Sequence, residues 1–351
     1  MSIKIGNRKI GPGHPVFIIA EMSANHLQDY DRAVAIIRAA KQAGADAIKL
    51  QTYTPDTMTL DCDSDLFRID HGTIWDGKTF YELYQEAYTP WEWHEPLQKI
   101  AEEEGLIFFS TPFDKTAVDF LEELNVPAYK IASFEILDIP LIEYVASKGK
   151  PVIMSTGIAT LGEIDDAVAA CHRMGNHGVI LLKCTSSYPA PYEEMNLATI
   201  PNMSETFAVP CGLSDHTTGI AVPICAVGLG ACVIEKHLTL SRDDGGPDAA
   251  FSLEPEEFAE MVRSVREAET AVGKVSYELS ERTRSNRILG RSLFVVKNMK
   301  VGDVFSEENV RSIRPGYGLP PKYLKQIIGQ SATSELSRGT PLDLAKIDFE
   351  L

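Results

Sequence analysis

Residues 16–22 read VFIIAEM, a nearly continuous apolar run of the kind that forms a parallel strand covered on both faces. Seven more runs of this kind follow, and longer stretches with the apolar spacing of helices separate them. They are AIKLQTY (47–53), IFFST (107–111), AYKIAS (128–133), VIMST (152–156), VILLKC (179–184), PCGLSD (210–215) and CVIEKHL (232–238). Eight strand–helix units in succession is the number that closes a parallel barrel.

The alternative to a barrel is an open, doubly wound parallel sheet. That fold commonly has a GxGxxG motif after its first strand, and none follows VFIIAEM. The stretch YDRAVAIIRAAKQAG (30–44) has helical spacing and ends on Gly44, which is typical of a helix in the outer layer of a barrel. We therefore predict a (β/α)8 TIM barrel over residues 1–275.

The composition and the apolar pattern change after the predicted barrel. A polar stretch that starts SYELSERTRSNR predicts a linker over residues 276–288. Residues 289–351 contain short apolar runs and glycine turns, which predicts a small β-rich domain. Within the barrel, residues 54–89 form an insertion after the second strand and include the aromatic stretch IWDGKTFYELY. Insertions of this length tend to be functional.

The composition limits the partners and the compartment. The 351 residues carry a formal net charge of -17, whereas nucleic acids and anionic membranes require a basic surface. We predict neither as a partner, although a locally positive pocket could bind a small anion. The N-terminal sequence lacks the apolar segment of a signal peptide, and no run is long enough to span a membrane, so we predict a cytoplasmic protein. Six cysteines without a CxxC pair are interpreted as reduced packing residues, with a catalytic thiol as the alternative.

Polar side chains stand at the end of nearly every predicted strand. Each alone could be a packing or ion-pairing residue, but the C-terminal ends of barrel strands meet around one axis and carry the chemistry of barrel enzymes. Two lysines among hydroxyl side chains make a positively charged group, here called the anion cup, that suits phosphate or carboxylate. The cup consists of Lys49, Thr111, Lys130, Ser133, Ser155 and Ser214.

Two histidines, His216 and His237, stand at the ends of the last two predicted strands. Neutral imidazoles with water and oxygen ligands suit Mn²⁺, or less selectively Zn²⁺ or Fe²⁺, and two packing histidines are the alternative. Successive side chains of a strand point to opposite faces, so Glu235 and Lys236 cannot both face the interior together with His237. Lys236 is therefore assigned no role. A Lewis-acid site beside an anion cup suggests activation of a carbonyl next to a phosphorylated or carboxylated partner.

Nine segments at and near the strand ends carry a more specific signal. They are AEMSANH (20–26), AIKLQTYTP (47–55), STPF (110–113), YKIAS (129–133), STG (155–157), CTSSYPAPYE (184–193), GLSDHT (212–217), IEKH (234–237) and GPD (246–248). With these motifs the sequence resembles the sialic acid synthase family, which condenses phosphoenolpyruvate with sugars to give nine-carbon acidic sugars. The resemblance covers essentially the whole chain, and residues 289–351 resemble the antifreeze-like SAF domain of that family. It implies an enzyme of the transferase class.

Three details resemble the pseudaminic branch of the family. They are ASFE (132–135), where sialic acid synthases tend to have glycine after the serine, TPWEWH (89–94) and IWDGKTFYELY (74–84). The branch implies an open-chain 2,4-diacetamido-2,4,6-trideoxy-L-altrose as acceptor and pseudaminic acid and phosphate as products, formed with C–O bond cleavage. A bulky Phe134 beside the sugar is compatible with such a deoxygenated acceptor. The alternative is an N-acetylneuraminate or legionaminic acid synthase with a manno-configured acceptor.

The resemblance also implies a role for each site residue. Phosphoenolpyruvate would be bound by Lys49, Thr111, Lys130, Ser133, Ser155, Ser186 and Ser214, with Ser186 standing where asparagine is usual. His216 and His237 would bind a divalent metal, Mn²⁺ first, with Mg²⁺ or Co²⁺ as alternatives. These histidines and Glu21 would be catalytic, with Glu21 binding the aldehyde hydrate or the metal's water and acting as a base.

The acceptor sugar would be bound by residues from two domains. Tyr188 and Asp248 would contact it from the barrel, and Arg314 of the SAF domain would reach its N-acetyl group. In the family the SAF domain closes the active site of the other subunit, which implies a domain-swapped homodimer.

Two rival chemistries are left open by the residues. Lys49 and Lys130 lie inside a barrel as aldolase lysines do, so a Schiff base is the rival to metal catalysis. A non-catalytic protein with an ice- or carbohydrate-binding tail is the other alternative, but the tail lacks the regular threonine repeats of a flat ice-binding face.

Overall fold

The computed structural model describes residues 2–70 and 72–348, which divide into two compact units between Gly273 and Lys274. The first unit contains a closed barrel of eight parallel strands, as predicted, in which neighbours in sequence pair and the last strand pairs with the first. An antiparallel hairpin, β1 (Ile3–Ile5) and β2 (Arg8–Ile10), precedes the barrel. The barrel strands are β3 (Phe17–Glu21), β4 (Ala47–Thr52), β5 (Ile107–Pro112), β6 (Tyr129–Ile131), β7 (Val152–Ser155), β8 (Val179–Cys184), β9 (Cys211–Asp215) and β10 (Val233–His237).

Helices follow the strands and cover the barrel. Their starts are set by side-chain caps: an oxygen of Asp29 accepts from the backbone N–H of Arg32 at 3.2 Å, and Asp114 and Asp138 cap later helices in the same way. The first helix ends before Gly44, which has φ +89°. The helices of this unit are α1 (Tyr30–Gln42), α2 (Pro55–Met58), α3 (Phe80–Ala87), α4 (His94–Glu103), α5 (Lys115–Glu123), α6 (Ile139–Ser147), α7 (Leu161–Arg173), α8 (Thr199–Phe207), α9 (Ala221–Gly228) and α10 (Pro255–Val272).

Strand burial explains why the apolar runs are continuous. Every residue of β3, β7, β9 and β10 is buried, because one face packs against the helices and the other fills the barrel. At ~25 cal/mol per Å² of buried apolar surface, this shared core is the main stabilising contribution. The polar residues in these strands therefore stand out, since they are buried near the strand ends and need partners.

The insertion at 54–89 has internal structure. It contains α2, a 3-10 turn at Asp65–Phe67 and α3, which starts with a capping box between Thr79 and Glu82. The aromatic ring of Tyr84 packs edge-on against Tyr53 at the end of β4, with ring centroids 5.6 Å apart. The insertion is thus anchored to the barrel where the strands end.

The second unit is a small β-rich domain with its own core. Its strands form antiparallel pairs, β11 (Ser292–Val295) with β12 (Val310–Ile313) and β13 (Ser331–Ala332) with β14 (Ile347–Asp348). The buried side chains include Leu293, Val295, Met299, Phe305, Val310, Ile327 and Leu342. Its helices are short: α11 (Glu281–Ser285), which falls within the predicted linker, and α12 (Leu324–Ile327).

Candidate active site

A cavity of about 460 Å³ opens where the barrel strands end. Glu21 and Ser186, two further predicted site residues, contact residues of its lining rather than lining it themselves. Ten of the thirteen predicted site residues line the cavity: Lys49, Thr111, Lys130, Ser133, Ser155, Tyr188, Ser214, His216, His237 and Asp248.

The predicted anion cup is present in this cavity. Lys49 Nζ donates a hydrogen bond to Thr111 Oγ1 at 3.2 Å, and Lys130 Nζ donates to Ser155 Oγ at 2.7 Å and to the backbone oxygen of Ile131 at 3.0 Å. Both lysines are buried. Two ammonium groups held in place among hydroxyls form a preorganised site for an anion with several oxygens.

Glu235 is the site residue that sequence reasoning left without a role. One carboxylate oxygen lies 3.7 Å from Lys49 Nζ and the other lies 3.8 Å from Lys130 Nζ. The second oxygen also accepts a hydrogen bond from Ser214 Oγ at 2.9 Å. Glu235 therefore joins the two lysines and keeps the ligand-free cup from carrying an uncompensated double positive charge.

The alternation of side chains along β10 explains this placement. Glu235 and His237 both line the cavity, whereas Lys236 is fully buried on the other face. There Lys236 Nζ donates to Asp215 Oδ2 at 2.5 Å and to the backbone oxygen of Thr217. Lys236 is a structural residue, and an inward His237 was enough to imply an inward Glu235.

Glu21 lies directly behind the cup, at the end of β3. Its carboxylate is buried and ion-paired with Lys49, and Oε1 accepts hydrogen bonds from the backbone N–H of Ser23 at 3.0 Å and from Gln51 Nε2 at 3.3 Å. Lys49 is thus placed between two carboxylates, those of Glu21 and Glu235.

Burial and these charges set the protonation of the cluster. Burial raises the pKa of Glu21, and the attraction of Lys49 only partly offsets that rise. Burial lowers the pKa of Lys130. Burial also acts to lower the pKa of Lys49 and to raise that of Glu235, but in both cases the opposite charges nearby outweigh it. Lys49 is consequently held as a cation and Glu235 as an anion at neutral pH.

The two predicted metal ligands come together in the cavity. The ring centroids of His216 and His237 are 5.3 Å apart, and Phe251 packs against both rings, at 5.8 Å and 4.9 Å. A packed aromatic ring restricts the orientation of both imidazoles. The histidines therefore lie at one side of the cavity, at the ends of adjacent strands: His216 directly follows β9, and His237 is the last residue of β10.

The hydrogen bonding of these rings fits a metal site. His216 Nδ1 lies 3.2 Å from the backbone oxygen of Thr185, which can only accept, so Nδ1 carries a proton and Nε2 is the ring nitrogen left for a metal. Burial acts to lower the pKa of His216, but the nearby Cys184 outweighs burial and raises it, so a metal would bind Nε2 in competition with a proton. Burial lowers the pKa of His237 well below its usual value, and its Nδ1 has no hydrogen-bond partner among the described residues. Within the described ranges, no group of three or more His, Cys, Asp or Glu is arranged to hold a metal. The protein would supply two imidazoles, and oxygen ligands from water or substrate would complete the set.

Tyr188 and Asp248 extend the site from the histidines. The ring of Tyr188 lies 4.6 Å from that of His216, between centroids. Asp248 Oδ2 lies 4.0 Å from His237 Nδ1 and accepts a hydrogen bond from Ser23 Oγ. Burial raises the pKa of Asp248. Both residues are positioned to contact a ligand that approaches the histidines.

Ser133 and Ser186 form one hydroxyl pair at the edge of the cup, with 2.6 Å between their Oγ atoms. Gly157 makes this approach possible, because a Cβ at that position would lie 2.2 Å from Ser186 Oγ and 2.6 Å from Ser133 Oγ. The glycine of the STG motif is therefore required by the close packing around the pair.

The insertion contributes an apolar wall, which we call the insertion wall. Trp75 is held to the barrel by a hydrogen bond from its Nε1 to the backbone oxygen of Pro247, 2.9 Å away. Sequence reasoning identified the insertion as functional but not which side chains enter the cavity. The insertion wall consists of Met58, Ile69, Thr73, Trp75, Phe80, Leu83, Tyr84 and Ala87.

Glu135 is a second acidic group that was not predicted as a site residue. It lines the cavity just after β6, and burial raises its pKa from 4.5 to about 7. Phe134, next to it, also lines the cavity and is 56% exposed. The rise in pKa means that ionising this carboxyl works against folding.

We expect Glu135→Gln to increase the free energy of unfolding at pH 8 by about 1–3 kcal/mol and to change it little at pH 4. The folded-state pKa lies above the unfolded value, so the glutamate stabilises the fold least when the pH is above about 7, and a neutral amide removes that penalty. Urea unfolding at the two pH values measures the difference. Glu95→Gln, on the exposed face of α4, is the matched control. Equal effects of Glu135→Gln at pH 4 and pH 8 would contradict this expectation.

The burial of four cysteines suits the packing interpretation, whereas the position of Cys184 leaves the catalytic-thiol alternative open there. All six are free; Cys171, Cys184, Cys211 and Cys232 are buried, whereas Cys62 is half-buried and Cys225 is exposed. Cys184 lines the cavity, and its Sγ lies 3.8 Å from His216 Nδ1. Arg314 directly follows β12 in the second unit, so its contact with the sugar stays a prediction.

Comparison with known families identifies the chain. Residues 36–277 match the NeuB family, and residues 290–348 match the SAF domain. The chain belongs to the NeuB family. The predicted resemblance and the predicted barrel with its SAF domain are thereby confirmed, as is the prediction of an enzyme rather than a non-catalytic binding protein.

Relatives of known assignment narrow the position within the NeuB family. A pseudaminic acid synthase from Campylobacter jejuni subsp. jejuni is 46% identical over 97% of this chain and 98% of its own. An N,N'-diacetyllegionaminic acid synthase from Legionella pneumophila is 37% identical over 96% of this chain and 97% of its own. The crystal structure of an N-acetylneuraminic acid synthetase from Leptospira borgpetersenii, in complex with citrate, superposes with a TM-score of 0.74 at 34% identity, covering 82% of this chain and 95% of that one.

The described residues include no helix that is long and apolar enough to cross a membrane. The cytoplasmic location stays a prediction.

Proposed function

We propose that the protein condenses phosphoenolpyruvate with open-chain 2,4-diacetamido-2,4,6-trideoxy-L-altrose to give pseudaminic acid and phosphate, with a divalent metal, Mn²⁺ first, as cofactor. The observation that carries the proposal is the placement of a two-lysine anion cup and two imidazoles with free ring nitrogens in one cavity. The sequence is 46% identical to a pseudaminic acid synthase and 37% identical to a legionaminic acid synthase. The higher identity supports the altrose as the acceptor sugar.

Lys49 and Lys130 would bind the phosphate and carboxylate oxygens of phosphoenolpyruvate, with hydroxyls of Thr111 and Ser155 as further donors. Each lysine already has a hydroxyl and a carboxylate partner, so the ammonium groups need little reorganisation on binding. The arrival of a multiply charged anion also offsets the positive charge of the two lysines, which lowers the cost of keeping them buried.

The two histidines would hold the cofactor beside the cup. When bound, a divalent cation supplies Lewis-acid polarisation of the aldehyde oxygen. Tyr188 and Asp248 would orient the sugar so that its aldehyde carbon faces C3 of phosphoenolpyruvate, since both adjoin the imidazoles.

The bonds change in two stages. C3 of phosphoenolpyruvate forms a bond to the aldehyde carbon, whose oxygen takes up a proton, and positive charge develops at C2. Water then adds at C2 and loses a proton. The C2–O bond to phosphate breaks as the new hydroxyl gives its proton to the departing phosphate, which leaves a ketone at C2. Glu235, an anion next to both lysines, would stabilise the charge at C2, and Glu21, whose pKa burial raises, is a suitable base for a proton.

A lysine Schiff base is the chemical rival. Lys49 is ion-paired with Glu21 and its pKa is raised, so it is protonated and a poor nucleophile at neutral pH. Lys130 has a lowered pKa and is the more plausible amine of the two. Borohydride added with substrate would trap a Schiff base as a covalent adduct, and the proposal expects none.

The test of the proposed function is release of phosphate from phosphoenolpyruvate and Mn²⁺ with three acceptors offered in parallel. These are 2,4-diacetamido-2,4,6-trideoxy-L-altrose, N-acetylmannosamine and 2,4-diacetamido-2,4,6-trideoxymannose. We expect turnover with the altrose and at least about 100-fold lower kcat/KM with the manno-configured sugars. Preference for a manno-configured acceptor would reassign the protein to the sialic or legionaminic branch.

We also propose a domain-swapped homodimer, in which Arg314 serves the active site of the partner barrel. Neither Arg314→Ala nor His237→Ala subunits should be active alone. Mixed dimers would contain one site that has both residues intact, so mixing should restore up to about a quarter of wild-type activity. Verified mixed dimers without any recovery would contradict the swap, and His172→Ala mixed with Arg314→Ala controls for the mixing itself.

A further inference from the structure

Glu135 is a cavity carboxylate that the proposed reaction does not use. It begins a 3-10 turn, Glu135–Leu137, just after β6. In the ring of eight strands β6 lies four strands from β10 in either direction, so Glu135 is on the opposite side of the cavity from His237. A sugar whose aldehyde is at the histidines would therefore extend its other end toward Glu135.

The carboxylate of Glu135 has unused capacity to accept hydrogen bonds. Its Oε2 is buried and has no hydrogen-bond partner among the residues that the structure describes. Buried polar atoms in folded proteins are nearly always paired, and leaving one unpaired is costly. An unpaired acceptor that lines a substrate cavity is explained when a substrate donor pairs with it.

The surroundings of Glu135 are apolar on one side and polar on the other. Glu135 shares the cavity lining with Tyr84 of the insertion wall and Lys130 of the anion cup. It is near enough to both for electrostatic effects, since its charge raises the pKa of Tyr84 and the charge of Lys130 acts to lower the pKa of Glu135. Phe80 and Leu83 of the insertion wall line the same cavity. A group that suits this place has one hydrogen-bond donor next to an apolar part, and an acetamido group, with its N–H and its methyl, has both.

We propose that Glu135 determines acceptor specificity by accepting a hydrogen bond from the N–H of the 4-acetamido group, while the insertion wall encloses the methyl of that group. This inference rests on the proposed function, which places the aldehyde at the histidines. A 4-hydroxyl could also donate to Glu135 but would leave the insertion wall uncovered. A 4-deoxy sugar would leave the carboxylate unpaired.

The test compares kcat/KM for three acceptors that differ only at C4, carrying an acetamido group, a hydroxyl or hydrogen. Wild-type protein should prefer the 4-acetamido sugar over the 4-deoxy sugar by at least about 100-fold and over the 4-hydroxyl sugar by about 10-fold or more. Glu135→Leu should reduce the preference over the 4-deoxy sugar to below about 10-fold. Glu135→Gln, whose amide oxygen still accepts, should retain an intermediate preference, and the KM for phosphoenolpyruvate should stay within about threefold in both variants.

Glu95→Leu, a change of the same type on the exposed face of α4, should keep the wild-type preferences. The inference is overturned if Glu135→Leu lowers kcat/KM equally for the 4-acetamido and 4-deoxy sugars, or if wild-type protein uses the 4-hydroxyl sugar as well as the 4-acetamido sugar. Failure of the proposed function is distinguishable, because it would show as wild-type protein that does not turn over the 4-acetamido sugar at all.

Discussion

Lys130→Met is expected to lower kcat/KM for phosphoenolpyruvate by about 10²–10³-fold, because it removes one of two buried cations from the anion cup. Lys130 Nζ is fixed by Ser155 Oγ at 2.7 Å and by a backbone oxygen at 3.0 Å. Methionine preserves most of the buried side-chain volume but cannot donate a hydrogen bond. Steady-state release of phosphate at varied phosphoenolpyruvate concentration gives the effect.

The loss has a second cause besides the missing contact. Glu235, 3.8 Å from Lys130 Nζ, would keep only Lys49 as a cationic partner and would repel an incoming anion. Lys148→Met is the matched control, since Lys148 pairs with Asp119 near the surface end of α6. Lys148→Met should change kcat/KM less than about threefold. Equal behaviour of the two variants would show that phosphoenolpyruvate does not bind in the anion cup.

His237→Ala is expected to lower kcat by about 10³-fold and to weaken Mn²⁺ binding by at least about 100-fold, because one of two imidazole ligands is lost. Binding of phosphoenolpyruvate should change less than about threefold, since His237 is not part of the anion cup. Mn²⁺ binding can be followed by electron paramagnetic resonance on chelator-treated protein, independently of activity, and phosphoenolpyruvate binding by calorimetry.

The control for His237→Ala is His172→Ala on α7, whose ring contacts only the neighbouring His177 among the ring pairs of the described residues. The His172→Ala variant should bind Mn²⁺ and convert its substrates as wild-type protein does. If chelator-treated wild-type protein kept full activity without added metal, or if His237→Ala bound Mn²⁺ normally, the histidines would be packing residues as the alternative interpretation held.

The fold was predictable because its strands are buried on both faces and are therefore apolar throughout. The run VILLKC coincides with β8, Val179–Cys184. The run AYKIAS was longer than β6, which covers only Tyr129–Ile131. Ala132 and Ser133 leave the strand to line the cavity, and the apolar pattern does not show where a strand turns into a functional loop.

The part of the candidate site that lies at the strand ends could be predicted from the sequence. Lys49, Lys130 and the two histidines came together because a closed barrel brings its C-terminal strand ends to one axis. Glu235 was within reach of the same reasoning, since side chains two apart on a strand share a face and His237 was already placed inward. Its role between two lysines depended on a register that sequence alone does not provide.

The roles of Glu135 and the insertion wall could not be predicted from the sequence, for a different reason. Glu135 has an unpaired carboxylate oxygen and shares the cavity lining with residues of the insertion that are far away in sequence, such as Tyr84. Composition identified the insertion as aromatic and unusually long, but which of its side chains enter the cavity is decided by tertiary contacts such as the hydrogen bond from Trp75 to Pro247.

The most direct test of the central claim, a condensation with cleavage of the C–O bond, is the fate of the bridging oxygen of phosphoenolpyruvate. Phosphoenolpyruvate labelled with ¹⁸O between C2 and phosphorus is turned over with the diacetamido altrose and Mn²⁺, and the phosphate is analysed by ³¹P nuclear magnetic resonance. We predict that the label leaves with the phosphate, because water adds at C2 and the C2–O bond breaks. Unlabelled phosphate, with the ¹⁸O retained in the sugar product, would mean that the P–O bond breaks and would contradict the mechanism.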